Sequence, residues 1–208
     1  MIDLEDEMST EIKKSRWIGY AKPGDIGLTL GSSSIFAKFQ DWYRSRISNA
    51  SNQASHGFIV KGDNLISEAN GKYIGESKLE KYIGSNRDTW LFRKRDLKLF
   101  EKDAMMLYIK SAEQTGGTYS WLGIMQFVQK FFYKDKQLKD KPGVFCTEYT
   151  SRIINAADLP YLSLGKDFPW KVTPSIQLSW FIKNGFLNDW ELVLYSTKNK
   201  LFFNAGSS

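Results

Sequence analysis

Two residue types suited to nucleophilic and acid–base chemistry occur once each in this chain of 208 residues, as Cys146 and His56. Cys146 lies in the first turn of a predicted helix whose apolar residues recur every four positions, at Phe145, Tyr149, Ile153 and Ala157. The helix dipole and the free N–H groups of such a turn stabilise a thiolate. The sequence therefore predicts that Cys146 is a nucleophile.

His56 is the candidate general base, and Glu68 is the candidate acid that would hold its imidazole in one orientation. The sequence predicts a β-hairpin with strands at 55–60 and 64–69, joined by a turn at 61–63. A three-residue turn would place His56 directly across from Glu68 on one face of the sheet. A two-residue turn at Gly62 and Asp63 would place the two side chains on opposite faces. The sequence leaves both registers open.

Composition excludes several other kinds of site. One cysteine cannot form an intramolecular disulfide, and one cysteine with one histidine cannot supply a zinc site built from these ligands. We therefore predict neither a metal nor another cofactor. The net charge of +6 permits an anionic partner such as nucleic acid or acidic lipid, although short basic clusters such as 93–95 are more often solvated surface.

Targeting signals are not evident in the sequence. The acidic N-terminus at 1–7 lacks the basic start and apolar run of a secretory signal. No run of about 18 apolar residues, the length needed to span a membrane, occurs in the chain. We therefore expect a cytoplasmic or a phage- or virion-associated protein without a transmembrane segment.

The predicted elements form one domain at 17–200, with a polar N-terminal extension at 1–16 and a C-terminal tail at 201–208. Besides the hairpin, strands are predicted at 26–30, 89–93 and 191–195. Helices are predicted at 34–48, 97–116, 121–133, from Cys146 onward and at 173–183, with a short amphipathic segment at 78–83. This order predicts an α+β fold with helices on one side of a small antiparallel sheet.

Four short segments, taken in order, resemble a known family. They are Pro23-Gly24-Asp25-Ile26, Ser55-His56-Gly57-Phe58-Ile59, Ile66-Ser67-Glu68-Ala69 and Phe145-Cys146-Thr147-Glu148-Tyr149. Together they resemble the circularly permuted branch of the NlpC/P60 papain-like superfamily, and within it the YiiX-like group of amidases and cysteine peptidases. Weaker matches are Ser77–Tyr82, Gly117–Tyr119 and Thr173–Ser175.

The resemblance implies a permuted papain-like domain that acts as a cysteine hydrolase. Cys146 would attack a carbonyl, His56 would carry the proton, and Glu68 would orient His56, with a thioester as the intermediate. The backbone N–H of Cys146 and a second donor, for which Tyr119 and Tyr20 are candidates, would stabilise the oxyanion. The expected substrate is an amide or ester, such as peptidoglycan, a peptide or a lipid.

Four other functions stay open from the sequence. A related branch of the superfamily transfers acyl groups to lipid alcohols or amines, and a thioesterase would use the same residues. A non-catalytic binding module of a virion or cell surface would keep the fold without turnover. A basic protein could instead dock on an anionic surface, in which case its binding would depend strongly on salt.

Overall fold

The computed structural model describes residues 2–3, 15, 18–30, 54–70, 72–82, 87–116, 146–161, 172, 174–197 and 200–203. Eight strands form one antiparallel sheet in the order β1-β8-β7-β6-β2-β3-β4-β5. The strands are β1 (Ile2–Asp3), β2 (Ile26–Leu30), β3 (His56–Gly62), β4 (Leu65–Ala69), β5 (Ile74–Lys78), β6 (Asp88–Lys94), β7 (Trp190–Thr197) and β8 (Lys200–Phe203). The fold is therefore α+β, as predicted.

Three α-helices lie wholly within the described residues: α1 (Leu99–Gln114), α2 (Cys146–Ala156) and α3 (Pro174–Trp180). A π-helical turn at Phe181–Gly185 and a 3₁₀ turn at Phe186–Asn188 continue α3 toward β7. A further 3₁₀ segment, η1 (Leu79–Tyr82), joins β5 to the chain that leads into β6. The predicted amphipathic segment at 78–83 corresponds to η1.

Apolar side chains cover both faces of the sheet, because successive residues of a strand point in opposite directions. On one face, Ile26, Leu28 and Ile59 pack with residues from all three α-helices. On the other face, Phe58, Val60 and Leu91 pack with Leu79 and Tyr82 of η1. The helices α1, α2 and α3 thus lie on one side of the sheet, and η1 covers part of the opposite side.

Most predicted elements in the described ranges occur at the expected places. The strands at 26–30, 89–93 and 191–195 correspond to β2, β6 and β7. The helices at 97–116 and 173–183 correspond to α1 and to α3 with its π-helical turn. The predicted helices at 34–48 and 121–133 lie outside the described residues.

The sheet is larger than predicted. β5 was not predicted, since its sequence, Ile-Gly-Glu-Ser-Lys, has little apolar alternation. β1 pairs with β8, so the sheet includes residues of the predicted N-terminal extension and C-terminal tail. Phe100 of α1 is exposed, because the buried face of this helix is centred on Met105 and Ile109.

Candidate active site

Cys146 is the first residue of α2, as predicted, and it is buried. The helix packs through Tyr149 and Ile153, which are fully buried. Its first turn lies close to β3 at Gly57, where an added Cβ would be 3.4 Å from Cγ2 of Thr147. The Thr147 hydroxyl donates a hydrogen bond of 2.6 Å to the Val172 carbonyl oxygen. These contacts place the N-terminus of α2 beside the start of β3, where His56 lies.

The β3–β4 hairpin uses neither of the two registers considered from the sequence. Its turn is Asp63-Asn64, with positive φ angles of 51° and 64°, and Gly62 pairs with Leu65. Lys61 has no partner in β4, because the register shifts between Val60 and Gly62 as in a β-bulge.

The bulge decides which face of the hairpin carries the candidate residues. Continued without a shift from Gly62 and Leu65, the pairing would place His56 and Glu68 on opposite faces. The extra residue, Lys61, shifts the pairing of β3 with β4 by one position, so that Phe58 lies directly across from Glu68. His56, two residues before Phe58, therefore points to the same face as Glu68, on the diagonal rather than directly across.

His56 is in hydrogen-bond contact with both other predicted catalytic residues. Its Nε2 lies 2.6 Å from Oε2 of Glu68, and its ring also forms a hydrogen bond with the side chain of Cys146. Since Nε2 is engaged by the carboxylate, Nδ1 is the ring nitrogen left for the thiol. The structure thus brings Cys146, His56 and Glu68 together in the order required for a nucleophile, a base and an orienting acid.

The electrostatics of this cluster favour a protonated imidazole. Burial would lower the pKa of His56, but its hydrogen bonds with Cys146 and Glu68 outweigh this effect and raise the pKa from 6.5 to about 9. The side chain keeps 20% of its surface exposed, so a bound molecule could reach it. Beside Cys146, such an imidazolium is a proton donor and a partner for a thiolate.

Glu68 is fully buried, and its side-chain exposure is 0%. Lys81 Nζ donates to Oε1 at 2.7 Å, and the Tyr82 hydroxyl donates to Oε2, the oxygen that also contacts His56. Burial would raise the pKa of Glu68, but His56, Lys81 and a hydrogen bond from Ser77 outweigh it and lower the pKa below its ordinary range. Glu68 is therefore ionised in the folded protein.

Of the two tyrosines predicted as oxyanion donors, only Tyr20 belongs to the described residues, and it lies away from the site. Tyr119 lies outside the described residues. The Tyr20 carbonyl oxygen accepts a hydrogen bond of 2.7 Å from Arg93, which also forms an ion pair with Asp25 at the start of β2. His56 pairs with Thr29 at the far end of β2, roughly 13 Å along a strand that rises about 3.3 Å per residue. Tyr20 thus lies at the opposite end of the sheet from His56.

Lys81 and Tyr82 are site residues that the sequence did not identify. Their segment, Ser77–Tyr82, is only a weak match to the family pattern, and the sequence predicts an amphipathic stretch there. Their contacts with Glu68 depend on β5, which returns the chain along β4. Because β5 itself was not predicted, nothing in the sequence indicated which side chains would reach Glu68.

The described residues show neither a metal centre nor a membrane span. No group of three or more His, Cys, Asp and Glu side chains in these ranges could hold a metal ion. Among the helices described, none has the length and apolar character needed to cross a membrane.

No protein-family model and no curated protein matches the chain.

Proposed function

We propose that this protein is a cysteine hydrolase that cleaves an amide or ester through a thioester acyl-enzyme. One observation carries the proposal: His56 Nε2 lies 2.6 Å from the ionised Glu68, and the side chain of Cys146 interacts with the same imidazole. A nucleophile, a base and an orienting group in this order are the parts of a catalytic triad. Amidases and cysteine peptidases of the permuted NlpC/P60 papain-like type are the class that these residues resemble.

In the first half of the reaction, Sγ of Cys146 attacks the carbonyl carbon and forms a carbon–sulfur bond. The backbone N–H of Cys146, at the N-terminus of α2, can donate to the oxyanion. The imidazolium of His56 gives its proton to the leaving nitrogen or oxygen as that bond breaks, which leaves a thioester on Cys146.

In the second half, neutral His56 takes a proton from a water molecule, which attacks the thioester carbonyl. The carbon–sulfur bond breaks, the acid leaves, and the proton returns the pair to its starting state. Glu68 keeps its charge throughout and holds the imidazole in place. An alcohol or amine in place of water would give an acyltransferase with the same residues.

The first prediction is that an activated acyl donor such as p-nitrophenyl acetate labels the native protein with one acetyl group. The bond formed should be a thioester, because Cys146 is the sole cysteine, and hydroxylamine should therefore remove the group. Intact-protein mass spectrometry measures the labelling. Cys146→Ala should show none, and His56→Ala should label at least about 100-fold more slowly at neutral pH, because the thiolate loses its proton partner.

The controls separate catalysis from general thiol reactivity. Thermal unfolding should show that each variant is folded before its labelling is compared. Equal labelling rates of the native protein and His56→Ala would contradict the triad. If no peptidoglycan fragment, peptide or lipid ester is turned over either, a binding module becomes the better explanation.

A further inference from the structure

Two side chains of η1 donate hydrogen bonds to the carboxylate that faces His56. Lys81 Nζ lies 2.7 Å from Oε1 of Glu68, and the Tyr82 hydroxyl donates to Oε2. Both oxygens of a fully buried carboxylate are thus occupied, and Oε2 is shared between Tyr82 and His56. Glu68 therefore divides its charge among several donors rather than giving it to the imidazole alone.

The sheet fixes η1 at both of its ends. The Asn64 carbonyl oxygen accepts from the Leu79 amide at 2.8 Å, and the Asn64 side-chain oxygen accepts from the Glu80 amide at 3.1 Å. At the other end, the Thr89 hydroxyl donates to the Tyr82 carbonyl oxygen at 3.0 Å. The hairpin turn and β6 thereby determine where the two donors lie.

Tyr82 also contacts the imidazole through its ring. The ring centroids of His56 and Tyr82 are 5.8 Å apart with an angle of 28° between the planes. Phe58 stacks on the same tyrosine at 4.9 Å, and Tyr82 is almost completely buried. Tyr82 therefore contacts both members of the His56–Glu68 pair, one through its ring and the other through its hydroxyl.

We propose that Lys81 and Tyr82 are positioning residues that weaken the ion pair between Glu68 and the His56 imidazolium. This inference rests on the proposed function. A carboxylate that already accepts from a lysine and a tyrosine is a weaker base toward a third donor. The imidazolium can then pass its proton more readily to the leaving group.

Within the part of the chain that the structure describes, the charged and titratable groups around the imidazole and its partners are Glu68, Cys146, Lys81, Tyr82 and Arg87. The Arg87 guanidinium lies 5.7 Å from the centre of the Tyr82 ring. Of these groups, Lys81 is the cation in direct contact with Glu68, and its side chain is 46% exposed. Removing its charge is therefore the most direct perturbation of the carboxylate.

The test measures the pKa of His56 by NMR, which is unambiguous because the chain has one histidine. In Lys81→Met we expect this pKa to rise by about half a unit, since Glu68 then binds the imidazolium more strongly and a repelling cation is gone. Solvent screening of the half-exposed lysine keeps the rise small. Lys81→Arg should restore the native value.

Lys78→Met is the matched control, because it removes the same charge from the same segment. Lys78 is 69% exposed and lies 3.7 Å from Glu80 rather than in contact with Glu68. In Lys78→Met the pKa of His56 should equal that in the native protein. The proposal would be overturned if the pKa of His56 in Lys81→Met were equal to, or lower than, its pKa in Lys78→Met.

Tyr82→Phe tests the second donor, and it should also raise the pKa of His56. If this variant does not fold, Lys81→Met alone decides the outcome. In steady-state assays with a soluble acyl donor, Lys81→Met should lower kcat a few-fold and leave KM unchanged. Absence of an acyl-enzyme in the native protein would instead refute the proposed function, whatever the NMR titration shows.

Discussion

At the scale of single residues, the candidate site depends on a buried carboxylate that stays ionised. Glu68 is inaccessible to water, yet the charges and donors around it keep its pKa low. Breaking a buried pair by removing one partner leaves the other uncompensated, so conservative changes at Glu68 should have clear effects. The imidazole is the group that would report them.

Glu68→Gln should lower the pKa of His56 toward its ordinary value of 6.5, because the amide cannot supply the carboxylate charge. Acylation of Cys146 at neutral pH should slow by roughly 100-fold, the effect expected of a misplaced catalytic group, and less than for Cys146→Ala. NMR titration and labelling rates measure the two effects. Glu80→Gln is the control, since Glu80 carries the same charge change on η1 at 45% exposure. Native-like labelling of Glu68→Gln would remove Glu68 from the triad.

At the scale of elements, the β3–β4 hairpin determines whether the candidate residues can meet. Gly62 has a φ of +113°, a conformation that residues with a Cβ rarely adopt. A Cβ at this position would also lie 3.2 Å from Cγ of Pro23. The bulge that brings His56 and Glu68 to one face therefore depends on this glycine.

Gly62→Ala should destabilise the protein by about 1–3 kcal/mol, because the backbone must either hold a strained φ or give up the bulge. Urea unfolding measures the loss of stability. Gly19→Ala is the control, because nothing lies within 4 Å of a Cβ added there. Equal stability of the two variants would show that the bulge does not need glycine.

The same hairpin shows how far the sequence alone could predict the site. Residue types and spacing predicted both strands, the position of Cys146 at the start of α2, and the three candidate catalytic residues. The register was not predictable, because a single bulge at Lys61 changes which face of the sheet every earlier residue of β3 shares with β4. Lys81 and Tyr82 were missed for a related reason, since their contacts depend on pairing between β4 and the unpredicted β5.

At the scale of the whole molecule, the composition makes the dependence of stability on alkaline pH simple to interpret. The chain has one histidine and one cysteine, and these are the side-chain types whose ordinary pKa values lie in the range from 6.5 to 9. They are in contact, and the pKa of His56 is raised to about 9. A raised histidine pKa means that the folded protein holds a proton that the unfolded chain releases. The resulting stabilisation is complete below 6.5 and is lost as the pH rises through 9.

The free energy of unfolding should therefore fall between pH 6.5 and 9, with a slope of at most about 1.4 kcal/mol per pH unit, because one proton is involved. Urea unfolding at several pH values measures this slope. In His56→Gln the slope should be close to zero, since the group that holds the proton is gone. In Glu80→Gln it should match that of the native protein. A native protein and a His56→Gln variant with equal slopes would mean that His56 holds no extra proton in the fold, and the raised pKa of His56 would then be wrong.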